Sequence, residues 1–148
     1  MAAVLLIAHA PLASALLSVA RHVYAEQAER VEGVDVDASM SAEQAEELAR
    51  AALARLDSPE VLILTDVFGA TPCNVAQRLA DGRSIRVVTG VNVPMLWRSL
   101  CYLREPLEAL ATRAVAGAAQ GVMQVAVTSP QNQALTSSHD PNHSRHQQ

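Results

Sequence analysis

The feature that most constrains the fold is an uninterrupted apolar run at residues 4–8 (VLLIA), which ends abruptly on His9. A run of that length, with Pro11 close behind it, predicts a strand buried on both faces, and Pro11 is typical of a helix start. His9 is then placed at the carboxyl end of the first strand. In open sheets built of alternating strands and helices, ligands bind at that edge.

The rest of the chain repeats this alternation of strand and helix. The apolar spacing predicts strands around Val34 and Val36 and over residues 61–65, 85–89 and 121–127. It predicts helices over residues 11–29, 41–56, 71–80 and 105–116, and a short one through Leu96 and Leu100. Such an order implies parallel pairing with right-handed crossovers. We therefore predict an α/β fold, in which an open, mostly parallel sheet of about four strands has helices on both faces.

Local signals sharpen two of these helix starts. Ser41 stands three residues before Gln44, which is the spacing of a capping box. Thr71 followed by Pro72 is typical of an N-cap and first-turn pair.

The second strand differs from the others because its valines alternate with acidic residues. Asp35 and Asp37 are expected to face away from the core that Val34 and Val36 join. This alternation favours a position near the edge of the sheet.

Length and composition bound the classes of function. A chain of 148 residues, half of them apolar, has room for one domain with a proper core. We assign that domain to residues 1–128 and expect the polar residues 129–148 to be a disordered tail, whose three histidines are weak evidence for a metal site. The net charge is −4, and the eleven basic residues are arginines spread along the chain, which argues against nucleic-acid binding. Without lysine, a P-loop, a Schiff base and a Ser-Lys pair are all excluded.

The compartment can also be predicted. Cys73 and Cys101 lack the spacing of a disulfide framework and suit a reducing interior. The apolar N-terminus has no basic region before it and is interrupted by His9 and Pro11, so it resembles neither a signal peptide nor a membrane span. We expect a cytoplasmic protein that reaches a membrane only through a partner.

Chemically useful groups gather at one edge of the predicted sheet. His9 follows the first strand, Asp66 follows the third, and the turn at residues 90–94 follows the fourth. The helix near Thr71 directs its free N–H groups and the positive end of its dipole to the same edge. Taken alone, His9 would as readily be a histidine that merely ends a strand.

This grouping suits a phosphoryl group carried on imidazole. A neutral imidazole attacks through one nitrogen while a carboxylate holds the proton on the other, so we predict that Asp66 orients the ring of His9. The loop with Gly69, Ala70 and Thr71 is expected to bind the phosphoryl oxygens. No metal or other cofactor is required if the donor is itself a phosphohistidine.

Three motifs resemble those of the mannose-type enzyme IIA domain of the bacterial phosphoenolpyruvate:sugar phosphotransferase system (PTS). Residues 7–10 (IAHA) look like its I-x-T-H-G phosphorylation site, and residues 66–74 (DVFGATPCN) look like its D-x-x-G-G-S-P-x-N loop. Residues 90–96 (GVNVPML) match its G-x-N-x-P-M-L turn, the most specific of the three. The likeness spans roughly residues 1–127.

The resemblance implies a homodimeric phosphohistidine carrier. His9 would accept a phosphoryl group from the phosphocarrier protein HPr, Thr71 stands where the family has a serine, and a IIB component or a regulatory protein would be the acceptor. The last, antiparallel strand would be exchanged between the two subunits. The chain departs from the family pattern at Ala8, Ala10 and Ala70, which leaves fewer hydroxyl donors and less freedom for positive φ.

Two other functions remain open at this stage. One alternative is the phosphodonor subunit of dihydroxyacetone kinase, which shares this domain and the same histidine. It also fits a regulatory module in which phosphorylation of His9 controls partner binding without sugar transport. Phe68 and Trp97 are candidates for an exposed docking patch, or for the core.

Overall fold

The computed structural model describes residues 1–128, which form a single parallel sheet flanked by helices. Its strands are β1 (Ala3–His9), β2 (Val31–Val36), β3 (Val61–Thr65) and β4 (Ile85–Thr89). Its helices are α1 (Leu12–Val23), α2 (Ala42–Leu56), α3 (Thr71–Leu79), α4 (Val93–Cys101) and α5 (Leu107–Gln120), with a 3-10 turn at Gln27–Arg30. The strand order is β2-β1-β3-β4, and all three pairings are parallel. The predicted α/β class, parallel sheet and two helical layers are confirmed.

The core lies on both faces of the central strands, as their apolar sequences predict. One face of β1 and β3 packs against α1, α4 and α5. The other face packs against α2 and α3, where alanines of α2 allow the helix to sit close to the sheet. Strands β1 and β3, at the centre of the sheet, are almost wholly buried.

The helix starts follow from local chemistry, with one correction. The capping box of α2 is present: the Ser41 hydroxyl accepts from Gln44 N at 3.1 Å and the Gln44 side chain accepts from Ser41 N at 2.8 Å. Thr71, however, is not an N-cap. That position is held by Ala70, and Thr71 is the first helical residue, because Pro72 is accommodated equally well one position further into the first turn.

The first helix is shorter than its apolar spacing indicates. It ends at Val23 instead of continuing to residue 29, and the chain then makes the separate 3-10 turn before β2. Tyr24 adopts a non-helical conformation, and its backbone N–H still bonds the carbonyl of Ala20. The amphipathic pattern thus located the helix but not its end.

The C-terminal residues 122–128 form neither strand nor helix in this single chain. Their apolar side chains are among the most exposed of the described residues: Val122, Met123, Val125 and Val127 are 69–91% exposed. The antiparallel strand and the dimer that would use it therefore stay predictions. The expected tail at residues 129–148 lies outside the described part of the chain.

Within residues 1–128, no helix is both long enough and apolar enough to cross a membrane.

Candidate functional site

The site lies where the chain changes direction across the sheet. The crossover through α1 places β2 on one side of β1, and the crossover through α2 returns the chain to place β3 on the other side. The carboxyl ends of β1 and β3 therefore diverge at a topological switch point, the usual position of a binding crevice in open α/β sheets. His9 and Asp66 stand on either side of it.

The two predicted central residues are in direct contact. The Nδ1 atom of His9 lies 2.7 Å from Oδ2 of Asp66, and the backbone N–H of His9 donates to the same oxygen at 3.0 Å. The other carboxylate oxygen accepts the backbone N–H of Val67 at 2.9 Å. Residues 57 positions apart in the chain are thus joined by two hydrogen bonds, and a third bond from the neighbouring residue completes the set around one carboxylate.

This geometry assigns the tautomer of the neutral ring. An ionised carboxylate only accepts hydrogen bonds, so Nδ1 of His9 carries the proton and Nε2 carries the lone pair. The side chain of His9 is half exposed, whereas that of Asp66 is only 14% exposed. The arrangement therefore presents a nucleophilic nitrogen to solvent and keeps its orienting group covered.

The carboxylate is held ionised despite its position. Partial burial raises the pKa of Asp66, but the hydrogen bonds from His9 and Val67 together outweigh that effect, and the net pKa lies below the ordinary value. Asp66 is thus a negative charge throughout the neutral pH range, facing the ring on which positive charge would develop.

The loop after β3 contains the remaining predicted residues. Gly69 adopts φ +88°, a conformation that a residue with a Cβ takes up only with strain, and it turns the chain from Asp66 into α3. The first-turn N–H groups of α3, such as that of Thr71, have no intrahelical partner, and the N-cap residue Ala70 offers no side-chain cap. Gly69, Ala70 and Thr71 therefore follow Asp66 closely in the chain and bring backbone N–H groups of the kind that bind an anion.

The third motif, residues 90–96, is hydrogen-bonded to the carboxyl end of β3 and to the helices beside it. Val91 N donates to the carbonyl of Thr65 at 2.9 Å, which ties the turn to the end of β3. Asn92 caps α4 by accepting from Met95 N at 2.8 Å, and its amide donates to the carbonyl of Ala118 at 3.3 Å. The contacts of Asn92 are thus to helices α4 and α5, and they hold the loop in place.

Asp35 is a residue near the site whose role its sequence pattern did not reveal. Its carboxylate accepts from Ser14 N at 3.0 Å and so caps the start of α1, directly after His9. It does lie on the opposite face of β2 from Val34 and Val36, but that face is covered by α1. Gly33 permits this close approach, since a Cβ there would lie 3.3 Å from the carbonyl oxygen of Ala13.

The two candidate docking aromatics are placed differently. Phe68, in the loop after Asp66, is 71% exposed, and its neighbour Val67 is 50% exposed. Trp97 is only 36% exposed and packs edge-to-face on Tyr24, which follows the far end of α1 from His9. Phe68 adjoins the site, whereas Trp97 belongs to the packing between α1 and α4.

Among residues 1–128, no three His, Cys, Asp or Glu side chains are grouped as metal ligands would be. The three histidines of the tail lie beyond that range. Cys73, in the first turn of α3, is buried.

Comparison with solved structures reveals close likeness in fold. EIIA of the phosphotransferase system from Streptococcus agalactiae is 26% identical, with 84% of this chain and 97% of that chain covered and a TM-score of 0.75. A PTS IIA protein associated with the fucose utilization operon of Streptococcus pneumoniae is 25% identical over 83% of this chain and 92% of that chain, with a TM-score of 0.70. The mannose/sorbose specific IIA subunit of Enterococcus faecalis shares the fold at 23% identity and a TM-score of 0.77, with coverage of 86% and 96%.

Comparison with curated proteins gives no match. The family model for the PTS system fructose IIA component, EIIA-man, matches residues 3–115, which include every strand and all three motifs. The chain therefore belongs to the EIIA-man family of the phosphotransferase system.

Proposed function

We propose that this chain is a cytoplasmic phosphohistidine carrier that accepts a phosphoryl group on Nε2 of His9. The donor is phospho-HPr, and the phosphoryl group passes on to a IIB-type component or acts as a regulatory signal. The observation that carries the proposal is the 2.7 Å contact between His9 Nδ1 and Asp66 Oδ2 on a half-exposed ring. Membership of the EIIA-man family supports the same class of reaction.

The proposed transfer uses His9 as nucleophile and Asp66 as its positioning partner. The lone pair on Nε2 attacks phosphorus, a new P–N bond forms, and the P–N bond to the donor imidazole breaks with its electron pair returning to that ring. The proton on Nδ1 stays between the ring and the carboxylate, so positive charge that develops on the phosphorylated ring is stabilised where it forms. Neither a metal nor a nucleotide enters this balance.

The oxygens of the transferring group would be met by backbone donors. Phosphoryl transfer has a loose transition state that depends mainly on alignment and on hydrogen bonds to the equatorial oxygens. The uncapped first turn of α3 and the loop through Gly69 supply such donors. The loops that follow the four strands, at residues 10–11, 37–41, 66–70 and 90–92, contain no arginine, so a cationic contribution would come from the partner.

The surface around His9 favours a protein as donor. Val67 and Phe68, which follow Asp66 in the chain, form an exposed apolar patch. A docking partner would cover this patch. Covering it would also exclude water from the P–N bond and strengthen the electrostatic contacts at the site.

Intact mass measurement tests this function. The chain is incubated with phosphoenolpyruvate, enzyme I and HPr, alongside the His9→Ala variant. We expect a gain of one phosphoryl group that is labile in acid and stable in base, and no gain in the variant. An unchanged mass of the parent chain with active donor proteins would contradict the proposal. A chase with IIB components or with dihydroxyacetone kinase subunits then separates the acceptors.

A further inference from the structure

We propose that one internal water bridges the hydroxyls of Thr65 and Thr89. By fixing the backbone at the end of β3, this water would position the side chain of Asp66. This inference extends the proposed function, because Thr65 immediately precedes Asp66 in the chain. Thr65 and Thr89 are positioning residues in this account and do not touch the phosphoryl group.

The observation behind it is a pair of buried hydroxyls without partners. Thr65 is completely buried, and its Oγ1 has no hydrogen-bond partner among residues 1–128. The Oγ1 atom of Thr89 is likewise inaccessible and unpartnered. Since buried polar groups are hydrogen-bonded in nearly all cases, two such hydroxyls side by side indicate a shared ligand.

The sheet register places the two hydroxyls together. Thr65 and Thr89 are paired directly across the parallel ladder between β3 and β4. Thr65 is in phase with Ile63, and Thr89 is in phase with Val87, and both of these neighbours pack on the α2–α3 face. Side chains alternate along a strand, so both threonines lie on that face.

The pair is close to the candidate site. Ile7 of β1 pairs with Thr65 of β3. His9 follows Ile7 by two residues in β1, so it lies diagonally across from Thr65 on the same face of the sheet. Strand geometry puts that diagonal at about 8 Å between Cα atoms. Helix α3, which covers this face, begins within six residues of Thr65.

A bridging water fits the chemistry of this position. Each hydroxyl can donate and accept, so the two supply the minimum set of partners that a buried water needs. The water would tie the end of β3 to the end of β4 and fix the backbone from which Asp66 projects. The carbonyl of Thr65 already takes part in such a tie, through Val91 N.

Thermal unfolding of Thr65→Val, Thr89→Val and the double variant tests the water without reference to activity. Valine has nearly the shape of threonine but cannot hold water. If the water is present, each single variant leaves the other threonine's hydroxyl buried without a partner and lowers Tm by about 3–5 °C. The double variant, which has neither hydroxyl, recovers most of that loss. If each hydroxyl is simply unpaired, every replacement raises Tm, the effects add, and the proposal is wrong.

A matched control and a crystal structure complete the stability test. Thr112→Val removes a threonine hydroxyl on α5 that bonds only the carbonyl of Glu108, and should leave Tm almost unchanged. A high-resolution structure should contain density for one water between the two threonines. A direct bond between the hydroxyls, with no water, would overturn the proposal.

Single-turnover transfer from phospho-HPr tests the positioning role. We expect Thr65→Val to slow the step about 3- to 10-fold without changing the donor concentration for half-maximal rate, and Thr65→Ser to keep the parent rate. A coupled Tm cycle with an unchanged rate would overturn the positioning role. Should the parent chain accept no phosphoryl group at all, the proposed function fails, and the Tm cycle still decides whether the water exists.

Discussion

Replacement of Asp66 by asparagine perturbs the site most informatively, because it removes a charge and changes little else. The carboxylate receives three N–H donors, at 2.7 Å from the His9 ring, 3.0 Å from His9 N and 2.9 Å from Val67 N. An asparagine has one acceptor oxygen, so its amide nitrogen must face at least one of those donors. The ring would also lose the group that holds its proton on Nδ1.

The expected size of the effect follows from the bond that is lost. A hydrogen bond to a charged group contributes about 1.5–3 kcal/mol, and every 1.4 kcal/mol is a factor of ten in rate when the bond acts in the transition state. We therefore expect phosphoryl transfer to His9 to slow by roughly 10- to 150-fold.

The assay is rapid-quench transfer from phospho-HPr under single-turnover conditions. Asp37→Asn is the matched control, because Asp37 is exposed at the same sheet edge and its carboxylate accepts hydrogen bonds from Ala38 N and the Ser39 hydroxyl, not from His9. The control should transfer at the parent rate. If Asp66→Asn also transfers within twofold of the parent, Asp66 does not orient the nucleophile and the reasoning fails.

Four further outcomes can be checked on the same protein. His9→Ala should abolish phosphoryl uptake and leave the urea midpoint close to that of the parent, because the ring is half exposed at a strand end. Gly69→Ala should lower stability by about 1–2 kcal/mol in urea unfolding and slow transfer, since φ +88° strains a residue with a Cβ. The lowered pKa of Asp66 means that its stabilising contribution is full above the ordinary value of 3.8 and is lost as pH falls through the folded pKa, so parent and Asp66→Asn should converge in stability in acid. Ending the chain after Ala119 should cost dimerisation or solubility in sedimentation, whereas ending it after Ser129 should cost neither. Residues 122–128 expose an apolar segment, and no strand within residues 1–128 pairs with the outer edge of β4.

The central strands and the pairing of His9 with Asp66 could be predicted because several signals agree there. The apolar runs that end on these residues define buried parallel strands, and parallel strands bring their carboxyl ends to one edge. A contact across 57 positions thus follows from topology alone. The backbone donors near Gly69 were predictable for the same reason, since the loop joins a buried strand to a helix start.

Other features depend on contacts that no local pattern encodes. The predicted N-cap of α3 was Thr71, whereas the structure has Ala70 there, because Pro72 is tolerated at either of the first two helical positions. Asp35 was expected to face away from the core, yet α1 covers that face and its Ser14 N donates a hydrogen bond to the Asp35 carboxylate. The juxtaposition of the buried, unpartnered hydroxyls of Thr65 and Thr89 can be recognised only when the register between β3 and β4 is known.

The most direct test of the account is the ring position of the phosphoryl group on His9, read by ³¹P and ¹⁵N NMR after transfer from phospho-HPr. The contact of Nδ1 with Asp66 leaves Nε2 as the free nitrogen. We predict a single phosphohistidine, substituted at Nε2, with the Nδ1 proton retained. Substitution at Nδ1, or on any residue other than His9, would contradict it.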